Sequence, residues 1–179
     1  MNTIRGFFFQ THIDRLAKEK GEQYIQKLEE LYGKPLVFKA SSEYDTQDEE
    51  RLVDLCVQLY HEGEVLDDLQ IESGKYHYKS FSQSTIAKTA LALSKNSVKR
   101  TFQLGSQMTK SMIKGVTYEY EDLGPQKIQL TYTHSPYSIR HYQGFFMGYF
   151  EDVGKKVSVE TKILDEGERK YRLIFSWEE

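Results

Sequence analysis

Through the first two thirds of the chain, apolar positions recur at helical spacing; after that they alternate. The opening IRGFFFQTHIDRLAKEKG sets Phe9, Ile13 and Leu16 on one helical face, with Gly21 as a stop. EQYIQKLEELYGKP sets Tyr24, Ile25, Leu28 and Leu31 on one face, and Gly33 and Pro35 end it. Glycine accepts the left-handed cap and proline cannot continue a helix. PLVFKASSEYDT reads as an extended connector. TQDEERLVDLCVQLYHEG follows, with Thr46 and Glu49 spaced as a capping box and Leu52, Leu55, Cys56, Val57 and Leu59 as its apolar side. Residues 64–82 read as a more polar helix, and IAKTALALS as a short one. SVKRTFQLGSQMTKSMIKG places Val98, Phe102, Leu104, Met108, Met112 and Ile113 on a further helix.

Beyond Gly115 the period falls to two. VTYEYEDLGPQKIQLTYTH is rich in valine, tyrosine and threonine and turns at DLGPQ, which predicts a β-hairpin. SPYSIRHYQGFFMGYFEDVG returns to helix. KKVSVETKILDEGERKYRLIFSWEE predicts a second hairpin turning at DEGE. The order is six helices, hairpin, helix, hairpin, with no repeat and no linker. This predicts one α+β domain over 1–179, a helical part (1–115) followed by a hairpin–helix–hairpin part (116–179).

Composition narrows the class. With 179 residues, 39% hydrophobic and 28% charged, the chain can bury a real core and is not a disordered segment. A net charge of −3 gives no basic excess that would suggest nucleic acid. The single cysteine, Cys56, permits no internal disulfide and fits a reducing compartment. No apolar run reaches the ~20 residues of a membrane span, and the start lacks a signal-peptide pattern. The expectation is a cytoplasmic protein.

Local motifs for chemistry are few. His12, His61, His77, His134 and His141 show none of the spacings of a metal motif, so no metal site is expected. Cys56 sits among aliphatics, which predicts a buried, inert thiol. Gly144 and Gly148, four apart on a helix, suggest close packing of that helix on the sheet. There is no phosphate loop and no nucleophile elbow, and nothing demands an enzyme. Lys95, Lys99, Arg100, Lys110 and Lys114 form a basic stripe, read as a solvated face with an anionic partner as the sharper alternative. The 13 tyrosines and 10 phenylalanines are a surplus. Phe8, Phe9, Phe145, Phe146 and Tyr149 either close a solid core or line a pocket for an apolar ligand; stripes at helical spacing favour core.

The segments IRGFFFQTHIDRL…KGEQYIQKL, ESGKYHYKSFSQSTIAKTAL and HYQGFFMGYFEDVGKKVSVETKILDEGERKYRLIFSW resemble a paralogous family of uncharacterised bacterial proteins expanded in myxobacteria. That family in turn resembles a ligand-binding superfamily. Its members include haem nitric-oxide/oxygen sensors, four-vinyl-reductase domains and tethering subunits of Golgi transport. The resemblance implies N-terminal helices packed on a four-stranded antiparallel sheet made of two hairpins joined by a helix, with a pocket between helices and sheet.

It also implies tests. The haem sensors carry a histidine on the helix before the first hairpin and a Tyr-x-Ser-x-Arg clamp after it. Here SVKRTFQLGSQMTKSMIKG has no histidine. In YTHSPYSIR, Ser138 and Arg140 keep Ser-x-Arg, but Pro136 stands where the tyrosine belongs. The last hairpin, KILDEGERKYRL, lacks the cysteines common in the four-vinyl-reductase branch. No haem or other cofactor is therefore expected. His134, Tyr137, Arg140 and His141 fall at the implied pocket mouth and are the binding candidates. The expected function is a non-enzymatic signalling or regulatory module binding a small apolar molecule or a protein partner. The alternative is a scaffold like the tethering subunits, contacting a small GTPase or polarity protein, with a homodimer as one arrangement.

Overall fold

The computed structural model describes residues 2–94 and 97–178, so Lys95 of the basic stripe lies outside the described residues. The elements run β1 (Thr3–Arg5), α1 (Gly6–Lys20), α2 (Glu22–Tyr32), β2 (Glu43–Asp45), α3 (Thr46–Tyr60), α4 (Leu69–Ser82), α5 (Thr85–Ser94), α6 (Val98–Met112), β3 (Ile113–Lys114), β4 (Thr117–Gly124), β5 (Lys127–Thr133), α7 (Ile139–Asp152), β6 (Val157–Asp165) and β7 (Lys170–Trp177). This is a mixed α+β fold with seven helices and two antiparallel sheets among the described residues. None of these helices is long and apolar enough to cross a membrane.

The larger sheet has the order β4-β5-β7-β6, so the two hairpins join along their second strands. Alternation sends Ile128, Leu130 and Tyr132 of β5 to one face, where they meet Phe175, Leu173 and Tyr171 across the ladder. That face packs on α6 and α7 through Phe102, Phe146 and Phe150. The smaller sheet, β2-β1-β3, was not anticipated. Its strands of two or three residues are too short to show a period.

A second core lies among α1, α2 and α3, around Phe9, Leu16, Leu52, Val53 and Cys56. α4 runs between the two cores. Tyr76 belongs to the core of α1–α3 and Tyr78 to the sheet core, because positions two apart on a helix point to nearly opposite sides. His77 lies between them.

Three local expectations are corrected. The cap of α3 is Asp45, which accepts from the Gln47 amide, while Thr46 is the first helical residue and Glu49 turns inward to full burial. The helix expected over 64–82 begins only at Leu69. Asp68 caps it by accepting from the Ile71 amide, and Gly63 with φ 89° ends the preceding turn. Gly144 and Gly148 do not seat α7 on the sheet but face α4. A Cβ at Gly144 would stand 2.0 Å from the Ile71 carbonyl oxygen, and one at Gly148 would stand 3.0 Å from the Tyr78 ring. α7 meets the sheet on its other side, through Tyr142, Phe146 and Phe150.

Candidate functional site

Four helices converge on one buried carboxyl group. Glu49 lies in the first turn of α3, where the helix dipole favours an anion, yet it has no solvent exposure. His12 of α1 brings Nε2 to 2.7 Å from Glu49 Oε1. Tyr137, in the turn between β5 and α7, donates its hydroxyl to Glu49 Oε2 at 2.8 Å. His77 of α4 holds Nε2 3.7 Å from Glu49 Oε1 and Nδ1 3.1 Å from His141 Nε2 on α7. The Tyr137 ring stacks on His141 with centroids 4.6 Å apart.

Local structure explains the placement. Ser138 caps α7 by accepting from the His141 amide and donates to Gln70 Oε1 at 2.8 Å, tying the starts of α7 and α4 together. Below that tie, Gly74 and Gly144 let the two backbones touch. A Cβ at Gly74 would lie 2.0 Å from the His141 carbonyl oxygen. The approach brings His77 and His141 within bonding distance.

Burial sets the charge state. Desolvation lowers His12 to about 3, helped by the Arg15 cation, and lowers His77 to about 4. His141 is held well below the ordinary imidazole range by burial and then by His77. Desolvation raises Glu49, against the opposing pull of His77 and Tyr137. Tyr137 is raised well above its usual range by burial and then by Glu49. The three imidazoles are therefore neutral, each with one N–H and one lone pair. Among the described residues, Nδ1 of His12 and Nδ1 of His141 have no hydrogen-bond partner.

Beside this cluster is a cavity of about 150 Å³ between α4, α5, α6, α7 and the sheet. Its walls are mostly aromatic, with Phe102, Tyr118 and Tyr132 among them, while His77, Tyr137 and His141 supply a polar side.

Of the residues singled out in the sequence, Tyr137 and His141 line this cavity, and so do Phe8, Phe145, Phe146 and Tyr149. Phe9 does not. It stacks on Phe38 in the other core, with centroids 4.2 Å apart. Arg140 points to the surface and pairs with Asp68, its Nε 2.9 Å from Asp68 Oδ2. His134 is exposed at the strand end in a left-handed conformation, φ 55°. His12, Glu49 and His77 were not singled out for a site. They come from three separate helices, so no local motif could reveal them.

A family model described as "Protein of unknown function (DUF2378)" matches residues 1–178. The chain belongs to the DUF2378 family. No curated protein matches it significantly. Among solved structures, the DUF2378 chain is similar to a doubly substituted "Tt" H-NOX domain at TM-score 0.71 and 15% identity, covering 98% of this chain and 96% of that one. An oxygen-binding H-NOX domain related to soluble guanylate cyclases matches at TM-score 0.63 and 15% identity, with the same coverages, 98% and 96%. An Fe(II) unliganded H-NOX mutant from K. algicida matches at TM-score 0.60 and 14% identity, covering 98% and 97%. At such identities the likeness is one of fold.

The residues present do not fit a porphyrin held as in the haem sensors. The cavity-facing positions of α6 are Thr101, Phe102, Gly105, Met108, Thr109 and Met112, with no histidine. The histidines that reach the cavity come from α4 and α7 and bond each other. The volume of about 150 Å³ is also below the ~300–1,000 Å³ of ordinary ligand pockets.

Proposed function

We propose that this DUF2378 protein is a non-enzymatic, haem-free ligand-binding module of a cytoplasmic signalling or regulatory system. The ligand is a small, largely apolar molecule about the size of one aromatic ring, bound in the cavity between α4–α7 and the sheet. The observation that carries this reading is the cavity itself: about 150 Å³, walled by aromatics, with His77, Tyr137 and His141 together on one side. A void of that size holds a benzene-sized guest. The polar side favours a ring bearing one hydrogen-bonding group. The likeness of fold to H-NOX sensor domains supports a sensing role.

The test is a titration with phenol and with benzene, read by NMR shifts of the buried aromatic side chains and by native mass spectrometry of the purified chain. Phenol should bind saturably and more tightly than benzene. Gly105→Phe should abolish binding while the fold persists, because Gly105 lines the cavity and a Cβ there meets no atom within 4 Å. Absence of both a retained ligand and a saturable shift in the wild type would overturn the reading and leave a protein-interaction scaffold in its place.

A further inference from the structure

A carboxyl group in a dry core needs a counter-charge or a proton. Glu49 is fully buried, and among the described residues no lysine or arginine lies within ion-pair distance of it. The buried guanidinium one turn from His12, that of Arg15, is committed elsewhere. It donates to the Tyr76 carbonyl at 3.0 Å and to Glu19 at 3.1 Å.

Metal-ligand chemistry surrounds Glu49 instead. His12 Nε2 is 2.7 Å and His77 Nε2 3.7 Å from the same carboxylate oxygen, and ligand atoms of the three residues lie within 4.8 Å of one another. At 3.7 Å, His77 Nε2 is too far for a hydrogen bond to that oxygen.

The geometry points to a binding site for a divalent first-row transition-metal ion, formed by His12, His77 and Glu49. Bonds of ~2.0–2.2 Å to such an ion set neighbouring ligand atoms about 3 Å apart, a value between the two separations seen here. Side-chain shifts of roughly 1 Å or less would seat it. Two imidazoles and one carboxylate are a donor set suited to Zn(II) or Fe(II), and three protein ligands leave coordination positions open. Two of the three ligands are also supported from behind. Tyr137 holds the second oxygen of Glu49, and His141 engages the far nitrogen of His77 at 3.1 Å. The site goes beyond the cavity reading and does not depend on it, although His77 touches both.

The test uses the full chain, untagged and purified without chelator. Elemental analysis should find about one equivalent of zinc or iron. After chelator treatment, Co(II) should restore visible ligand-field bands, and Zn(II) should raise Tm, because a ligand of the folded state alone stabilises it. Glu49→Gln and His77→Gln should lose the metal and the bands, while Arg140→Ala should keep both. If the site variants fail to fold, X-ray absorption at the metal edge of the wild type should still count two imidazoles. A wild type with no metal, no bands and no Tm response overturns the proposal. So does metal retained in both folded site variants, or an absorption spectrum without imidazole. Phenol binding unchanged by chelator would then leave the cavity reading intact.

Discussion

Replacing Gly144 with alanine tests the contact that brings the site together. The new Cβ would stand 2.0 Å from the Ile71 carbonyl oxygen, 2.8 Å from its carbon and 2.9 Å from Cα, all backbone atoms of α4. No rotamer change relieves such a clash, so the helices must separate. Overpacking of this kind typically costs ~1–3 kcal/mol. Separation also strains the His77–His141 bond, 3.1 Å long and worth about 1 kcal/mol. Removing a glycine from a helix interior returns about 1 kcal/mol. The net expectation is a loss of ~1–3 kcal/mol, or roughly 3–10 °C in Tm for a domain of this size. Gly148→Ala is the control. Its nearest neighbours are side-chain atoms of Tyr78, Cδ1 at 3.0 Å and Cβ and Cγ at 3.4 Å, with no backbone atom among them, so a slight shift of that side chain accommodates it. Its Tm should stay within about 3 °C of wild type, since the propensity gain offsets a small shift. Calorimetric melts of the three proteins decide the matter. A Gly144→Ala protein that melts at or above the wild type, or with Gly148→Ala, would refute the view that backbone contact between α4 and α7 sets the geometry of the cluster.

Other outcomes follow from the same contacts. Arg140→Ala should cost only ~0.2–1 kcal/mol in urea unfolding and leave phenol binding unchanged, because the pair with Asp68 is half exposed and away from the cavity. Asp68 is held below the usual carboxylate range by Arg140 and by the α4 amides. Its stabilisation is therefore complete above the unfolded carboxyl pKa of about 4 and lost as pH falls through the lowered folded value. Asp68→Asn should be less stable than wild type at pH 7 and equal to it near pH 2, as measured by urea midpoints. Cys56, fully buried and with its thiol pushed up by desolvation, should resist a thiol reagent in the native state and label on unfolding; fast native labelling would contradict this. Tyr137→Phe removes the only donor to Glu49 Oε2 among the described residues and should cost ~1–3 kcal/mol, checked by thermal melts.

Much of the fold was legible because long elements declare their period. The order of six helices, hairpin, helix and hairpin follows from spacing in segments of seven to fifteen residues. What was missed was short or ambiguous. Asp45 and Thr46 are both cap residues, and the sequence alone does not say which begins α3. Thr46 with Glu49 mimics a capping box, but the carboxyl that would close it is drawn into the core by His12 and Tyr137. Burial of the helix face thus overrode the local signal. Gly144 and Gly148 were legible as close-packing positions, but the partner was not. Whether a small-residue face meets a sheet or another helix depends on which element lies across from it, here α4, with Ile71 opposite Gly144 and Tyr78 opposite Gly148.

The cluster shows the limit of local reading most clearly. Its bonds span 37 residues from His12 to Glu49, 64 from His77 to His141 and 88 from Glu49 to Tyr137. A motif search rewards histidines and acids one helical turn apart, and none of the cluster's three histidines has such a partner. One signal was nonetheless present. In Tyr76-His77-Tyr78 on an amphipathic helix, the tyrosines must point to opposite sides, which places the histidine on a third, intermediate face. The helix is packed on both aromatic sides, and of its two intermediate positions the histidine is buried while Lys79, on the opposite side, is exposed. A buried imidazole requires partners. The remaining histidines and carboxyls of other helices were the available ones, and the fold supplies Glu49 and His141. Local spacing carries no trace of these bonds, because each joins segments that only the packing of α4 against both cores brings together.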